Sequence, residues 1–527
     1  MIDLQGGNLM RERSRTEYTM LNTLVSLGGY LINTVLGFIC RMVFVRCLSA
    51  DYLGVSGLFT NILTMLSLVE LGVGSAVVYA LYEPLAKHDE EKITALVKLY
   101  GKAYRTIGLV IAAAGIFLMP FLTFIIQESP DIEESIYLLY IINLFNTASS
   151  YLFSYRSSLL CAAQQNYLVM GVNYTVTIVQ SIIQMIWLPL THNYLGYLLI
   201  QTVGMLVNNI TVSYIATRHH PYITNKNIAP LPKDETKALF RNVRDLVIYK
   251  VSSLLVNSTD NILITFFKGL ATTGIASNYT LLVSTLNSLL GNVFNGMTAS
   301  VGNYNALENE ERRYELFNFL NLMNFWIFGW AALGIVFCSS DIVRLCFGSD
   351  YVLPFEIPLI MAINFYIVGM QNAVWTYKNT LGLFKYGKLM QMLLGILNIA
   401  FSVLLGRVWG LFGILFATTI SRLMTSTWYD PYAIFKHGFH KSPFIYLKRY
   451  LYFVFILVIT AVLCRCSFWL IDESLTLVLR VLLEIVICSV VVNITFYIAF
   501  RKTQEFKKMK EVIKNVKSIL CHGKHTI

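Results

Sequence analysis

Few ionisable residues interrupt the long apolar runs of this chain, and they carry whatever chemistry those runs can do. Five cations among them stand out: Arg41, Arg156, Lys250, Lys378 and Arg422. A cation held in a low-dielectric interior attracts an anionic group far more strongly than it would in water. The competing reading is an anchor whose head reaches the interface, and Arg156, Lys250 and Lys378 lie close enough to run ends to do that. Arg422 is more than a turn from either end of its run, and Arg41 is a few residues from the opposite one. Two carboxylates are deeper still, Glu70 in VELGVGS and Asp260 in NSTDNIL. A lone carboxylate at that depth costs at least a few kcal/mol, so each must be paired with a cation, protonated or ion-bound. Ion coupling and structural pairing are both open to them. Four amides, Asn257, Asn261, Asn278 and Asn292, suit a hydroxyl-rich ligand, or equally helix packing through interhelical hydrogen bonds. No catalytic residue is expected, because phosphate-cradle, HExxH, GxSxG and DxD-like motifs are missing. No metal or other cofactor is expected either. The nine cysteines sit mostly in apolar runs without the paired spacing of a zinc site.

The elements that must position these residues are membrane helices. Of 527 residues, 56% are hydrophobic and 13% charged, about half the charge of a soluble domain, and mean hydropathy is +0.60. Apolar runs long enough to cross a hydrocarbon layer recur fourteen times: six within 20–217, six within 247–427 and two within 449–500. The weakest division is GRVWG, Gly406 to Gly410, where a single re-entrant element would invert everything after it. The positive-inside rule tests this count independently. With a cytoplasmic N-terminus, loops on that side hold 30 Lys and Arg and the opposite loops hold 5, namely Arg46, Lys268, Arg344, Arg407 and Arg465. Both termini are therefore expected in the cytoplasm.

The fold class is an all-α polytopic membrane protein of about fourteen helices. A cytoplasmic segment (1–19) precedes an N-lobe (20–217), and a basic loop (218–246) leads to a C-lobe (247–427). A further cytoplasmic loop (428–448), a helix pair (449–500) and a basic tail (501–527) follow. The N-terminal segment lacks the form of a signal peptide, and Met10 is an alternative start to Met1. Matched lobe topology suggests a parallel repeat, with Phe44 to Gly54 aligning on Phe266 to Ala276 at an offset of 222. Outer loops are short, which disfavours a membrane glycan polymerase or ligase, since those need a sizeable outer domain carrying acid, base or arginine groups. The chain is expected to move a substrate without transforming it, and nucleic acid is excluded as a partner.

Gly37 to Ala86 resembles the first two helices of the polysaccharide transporters of the multidrug/oligosaccharidyl-lipid/polysaccharide exporter superfamily, the Wzx-type flippases. Asn257 to Leu282 is similar to that family's seventh and eighth helices. The resemblance implies a bacterial cytoplasmic-membrane protein that carries undecaprenyl-pyrophosphate-linked oligosaccharide to the outer leaflet by alternating access between lobes. Such a substrate asks for cations to meet its diphosphate, the role expected of Arg41, Arg156, Lys250, Lys378 and Arg422, and for polar groups to meet its sugar. The alternative is a multidrug or metabolite antiporter of the same superfamily. It would want an acidic cavity, and cations outnumber the two deep carboxylates. Expected partners are the glycan lipid, anionic membrane lipids, and the polymerase and glycosyltransferases of the same pathway. The tail places Phe506, Met509, Val512, Ile513 and Val516 on one helical face with lysines opposite, and reads as an amphipathic helix lying on the inner leaflet.

Overall fold

The computed structural model describes residues 15–67, 73–126, 130–225, 227–383, 386–469 and 475–511. All regular structure among them is helical. In chain order the helices are α1 (Arg15–Cys47), α2 (Ala50–Leu66), α3 (Val73–Ala86), α4 (Glu90–Leu118), the one-turn α5 (Leu122–Ile125), α6 (Ile136–Ala162), α7 (Asn166–Thr191) and α8 (Tyr194–His219). There follow α9 (Lys233–Leu307), α10 (Glu310–Phe347), α11 (Glu356–Thr380), α12 (Lys388–Met424), α13 (Ser426–His437), α14 (Phe444–Phe468) and α15 (Leu477–Phe500). At three helix starts a carboxylate or amide oxygen caps the first turn. Asp89 takes the Lys92 amide at 2.9 Å, Asn193 that of Gly196 at 2.7 Å, and Asn309 that of Arg312 at 3.0 Å. Large apolar side chains such as Leu109, Phe117, Ile186, Leu190, Phe455 and Val462 remain exposed, the pattern of helices whose outer face meets lipid and not water.

Two helices that run on without interruption are each two helices joined at a glycine. In α9 the break is at Gly269 (φ 81°, ψ 172°), and in α12 at Gly410 (φ 58°, ψ −131°). A positive φ strains any residue with a Cβ, and glycine alone takes it freely. The chain reverses at both points. Thr265 and Thr273, eight residues apart, bring their hydroxyls to 2.9 Å, and Asn398 Nδ2 donates to Thr418 Oγ1 at 2.9 Å across a span of twenty. In a straight helix those partners would be about 12 Å and 30 Å apart. GRVWG is therefore a tight turn between antiparallel helices. Against the fourteen spans expected, ten stretches among the described residues are long and apolar enough to cross a membrane. One of the ten, Leu389–His437, contains the Gly410 reversal.

The chain packs as two compact units. The first comprises 1–49, 62–124 and 132–251; in it α1 lies on α7, and α6 contacts α3, α4, α7 and α8. The second comprises 50–61, 125–131 and 252–527, so the start of α2 belongs with residues far along the chain. The segments aligned as a repeat touch here: the bare Cα of Gly54 lies against the Leu270 carbonyl, and that of Gly274 against the Ala50 carbonyl. The second unit's core is aromatic. Phe325 of α10 stacks on Phe453 of α14 at 4.4 Å and meets Phe496 of α15 at 4.7 Å, which ties the last helix pair into the body of this unit.

The described part of the tail departs from expectation. Phe506 is buried, stacked on Trp326 at 5.6 Å, and Met509 packs on the same core. Their apolar face is filled by α10 and α15, because aromatic partners within reach bury it more completely than the headgroup boundary would. Val512, Ile513 and Val516 lie outside the described residues.

Candidate functional site

The second unit places most of the charged and amide residues singled out in the sequence. Along the seam between α11 and the second half of α12, continuing into α13, polar side chains meet at a constant separation. Thr419 Oγ1 donates to Asn364 Oδ1 at 2.8 Å, Gln371 Nε2 to the Ser426 carbonyl at 3.4 Å, and Trp375 Nε1 to Asp430 Oδ2 at 3.4 Å. Every pair is 55 residues apart, which is the mark of two parallel helices. Parallel order here requires two reversals between them, one in the connection from α11 to α12 and one at Gly410. Buried in lipid, each of these groups would cost several kcal/mol without its partner.

Lys378 sits on this seam, and its surroundings differ from those expected of a cavity cation or an interfacial anchor. Its Nζ meets Asp430 Oδ1 at 2.6 Å, with both side chains almost wholly buried. Asp430 falls within the expected loop 428–448, but α13 continues the helical path there after a kink at Thr425 (φ −125°, ψ −96°). The charge on Lys378 is thereby matched inside the protein.

Arg422 and Asp260 form a different arrangement. Arg422, 9% exposed, lies in the last turn of α12, and Asp260 is half-buried on the first half of α9. The guanidinium is the charge that acts on Asp260, and the reverse holds. They do not close into a contact: Asp260 Oδ1 and Arg422 Nε are both buried without a hydrogen-bond partner. Lys250, ten residues and about 15 Å along the same helix, is too far to pair with Asp260, which left a cation from another helix, an ion or a proton; the charge of Arg422 acts on it from another helix without bonding to it. Of the amides, Asn278 is fully buried and already engaged, Asn261 is half-buried near Gly57, and Asn292 is exposed.

In the first unit, Arg41 is half-buried on α1 and engaged, its charge acting on Tyr197 of α8. Arg156 on α6 donates from Nη1 to the Ser213 hydroxyl and from Nε to Tyr155 Oη at 3.1 Å. Both acceptors are neutral, so its charge is oriented without being cancelled. Glu70 lies outside the described residues, as do the side chains of Lys250 and Asn257.

Sequence reading missed three buried carboxylates: Asp430, Asp341 and Glu484. Each has a cation. Asp341 Oδ1 accepts from Arg344 at 3.0 Å, and Arg480 Nε lies 3.5 Å from Asp341 and 3.1 Å from Glu484. The excess of cations over deep carboxylates is therefore smaller than the span pattern implied. The i, i+4 spacing of Arg480 and Glu484 was a signal that could have been used.

The fold has known counterparts. A lipid II flippase, MurJ, in an inward closed conformation superposes with a TM-score of 0.66 at 15% identity, over 91% of this chain and 99% of that one. An inward-facing multidrug resistance transporter of the MATE family in the MOP superfamily gives 0.57 at 13% identity, over 78% and 97%. No curated protein matches the chain. The family described as polysaccharide biosynthesis protein matches residues 20–309, more than half the sequence. A helical, multi-pass membrane chain with the fold shared by MurJ and MATE proteins, matched by that family across its first unit and into the second, belongs to the polysaccharide biosynthesis protein family.

Proposed function

We propose that this transporter is a flippase that carries undecaprenyl-pyrophosphate-linked oligosaccharide units, of the kind built into capsule, O-antigen or exopolysaccharide, across the cytoplasmic membrane by alternating access. Fourteen spans with both termini cytoplasmic form part of this reading. The observation that carries it is Arg422: a buried guanidinium near a carboxylate but not bonded to it, with Nε left without an acceptor. A guanidinium held that way keeps a donor for an incoming diphosphate, whereas a closed ion pair would have none to offer. Arg41 and Arg156 supply further positive charge in the first unit, and Asn261 is the amide best placed to meet sugar hydroxyls. Asp260 balances Arg422 when no substrate is bound and is also the candidate for proton or sodium coupling.

The test is flipping in proteoliposomes loaded with a fluorescent prenyl-diphosphate oligosaccharide, with and without proton and sodium gradients. Wild-type protein should expose the labelled glycan to an external quencher, and Arg422→Ala should not. Exchange of a cationic drug for sodium or protons, with no movement of the glycan lipid, would assign the antiporter reading instead. Topology is checked separately by single cysteines: one at Ser129 should react with an impermeant thiol reagent from outside the cell, and one at Lys226 should not.

A further inference from the structure

The first unit contains a cavity of about 410 Å3 lined by Val97, Lys98, Gly101, Lys102, Arg105, Tyr155, Arg156 and Ile223. Three of its cations come from one helix. Lys98, Lys102 and Arg105 stand at i, i+4 and i+7 on α4, which places them on one face. Arg156 approaches from α6, fixed by the neutral hydroxyls of Ser213 and Tyr155. No carboxylate lines the cavity among the described residues. The acidic first turn of α4, Glu90 and Glu91, is at least seven residues away, about 10 Å along the axis. The remaining wall is apolar, from Val97 and from Ile223 in the 3-10 turn Pro221–Thr224. That turn is pinned to α4: Thr94 Oγ1 donates to the Tyr222 carbonyl at 3.2 Å, and Tyr222 Oη lies 2.9 Å from His220 Nδ1. Burial holds the His220 imidazole down at about 4, so it is neutral at physiological pH and adds no charge of its own.

We infer that this cavity is a binding site for a phosphate-bearing anion, a phosphodiester lipid headgroup or a free phosphate. Lysines with arginines converging on a partly enclosed space are the residues that meet phosphate oxygens. The helix-borne cations sit where α4 enters the apolar layer, the depth of a headgroup, and Val97 with Ile223 offers contact to a glycerol or first acyl carbons. An occupant would also touch Ile223 and so hold the first turn of the connection that leads to the second unit. The site is separate from Arg422 but shares Arg156 with the positive charge invoked for transport; its test reads ligand binding and not flipping, so the two readings can fail separately.

The test uses the purified full-length protein in neutral detergent, freed of co-purified lipid, with its thermal midpoint followed against added ligand. Phosphatidylglycerol in mixed micelles should raise the midpoint and phosphatidylcholine should not. The triple variant Lys98→Gln, Lys102→Gln, Arg105→Gln should weaken the phosphatidylglycerol response by about tenfold or more. Lys98→Arg with Lys102→Arg, which keeps the charge, should retain it. If millimolar inorganic phosphate gives the same rise and abolishes the lipid's added effect, the source is the free anion and the site stands. An equal response in wild-type and triple variant, or no response to either ligand, overturns it. Should the triple variant fail to elute as a single species, Lys102→Gln with Arg105→Gln and, separately, Arg156→Gln carry the same comparison.

Discussion

Two buried cations on neighbouring helices of one unit meet opposite fates. Lys378 on α11 is locked to Asp430 at 2.6 Å, with Trp375 completing the carboxylate's second oxygen. Arg422 on α12 feels Asp260 but leaves both Nε and the Asp260 Oδ1 without partners. The pairs differ in geometry more than in composition, since each is one cation and one carboxylate drawn from two helices. A closed pair recovers desolvation cost internally and holds its cation against one carboxylate, so it fixes register. An open one keeps its capacity to bind and is the place to expect function.

The sharpest way to break this contrast is to remove one half of the closed pair. Lys378→Met leaves Asp430 buried and uncompensated, and should cost about 3–5 kcal/mol, seen as poor expression and a large fall in thermal midpoint in detergent. Lys378→Met combined with Asp430→Leu should recover most of that loss. A single variant as stable as wild type would mean that closure of the pair is not what separates it from Arg422. The open pair should respond in the opposite order. Arg422→Ala should abolish flipping with protein abundance near normal, and Arg422→Lys should restore only part, because an ammonium lacks the bidentate fork. Asp260→Asn distinguishes coupling from balance. If Asp260 couples, gradient-dependent flipping is lost while glycan-lipid binding persists. If it only balances Arg422, stability falls, and Asp260→Asn with Arg422→Gln restores stability without transport.

A smaller effect is expected at the turn that delivers Arg422 to its place. Gly410→Ala forces a positive φ on a residue with a Cβ, about 1–3 kcal/mol, and crowds the Lys268 side chain. The thermal midpoint should drop by a few degrees, with Lys378 and Asp430 still paired. The smallest effect belongs to the first unit. His220 is neutral in the folded protein down to about pH 4, whereas the unfolded chain takes up a proton near pH 6.5. Stability should therefore be flat above pH 6.5 and decline as pH falls from 6.5 towards 4. The decline should be shallower in His220→Gln, as measured by midpoint against pH.

Much of the fold was legible because lipid makes the rule simple: a helix that crosses it must be apolar for about twenty residues and satisfy its own backbone. The all-helical class, and the enclosure of Arg422 and Asp260 away from solvent, followed from counting along the chain. Even the partner of Asp260 was bounded by arithmetic, since Lys250 on the same helix is about 15 Å away. Register between helices was not legible. That Lys378 meets Asp430 at an offset of 52 and that Thr419 meets Asn364 at one of 55 depends on how far the reversal at Gly410 returns the chain. No local pattern encodes that length. Asp430 looked like loop because charge and proline surround it, yet packing against α11 keeps it helical and buried. Lys98, Lys102 and Arg105 looked like ordinary basic loop residues, and their helical spacing alone gave a charged face. Only the approach of α6, bringing Arg156 on its neutral hydroxyl supports, and of the turn carrying Ile223 makes that face a cavity, because convergence in space is set by interhelical packing and not by sequence period.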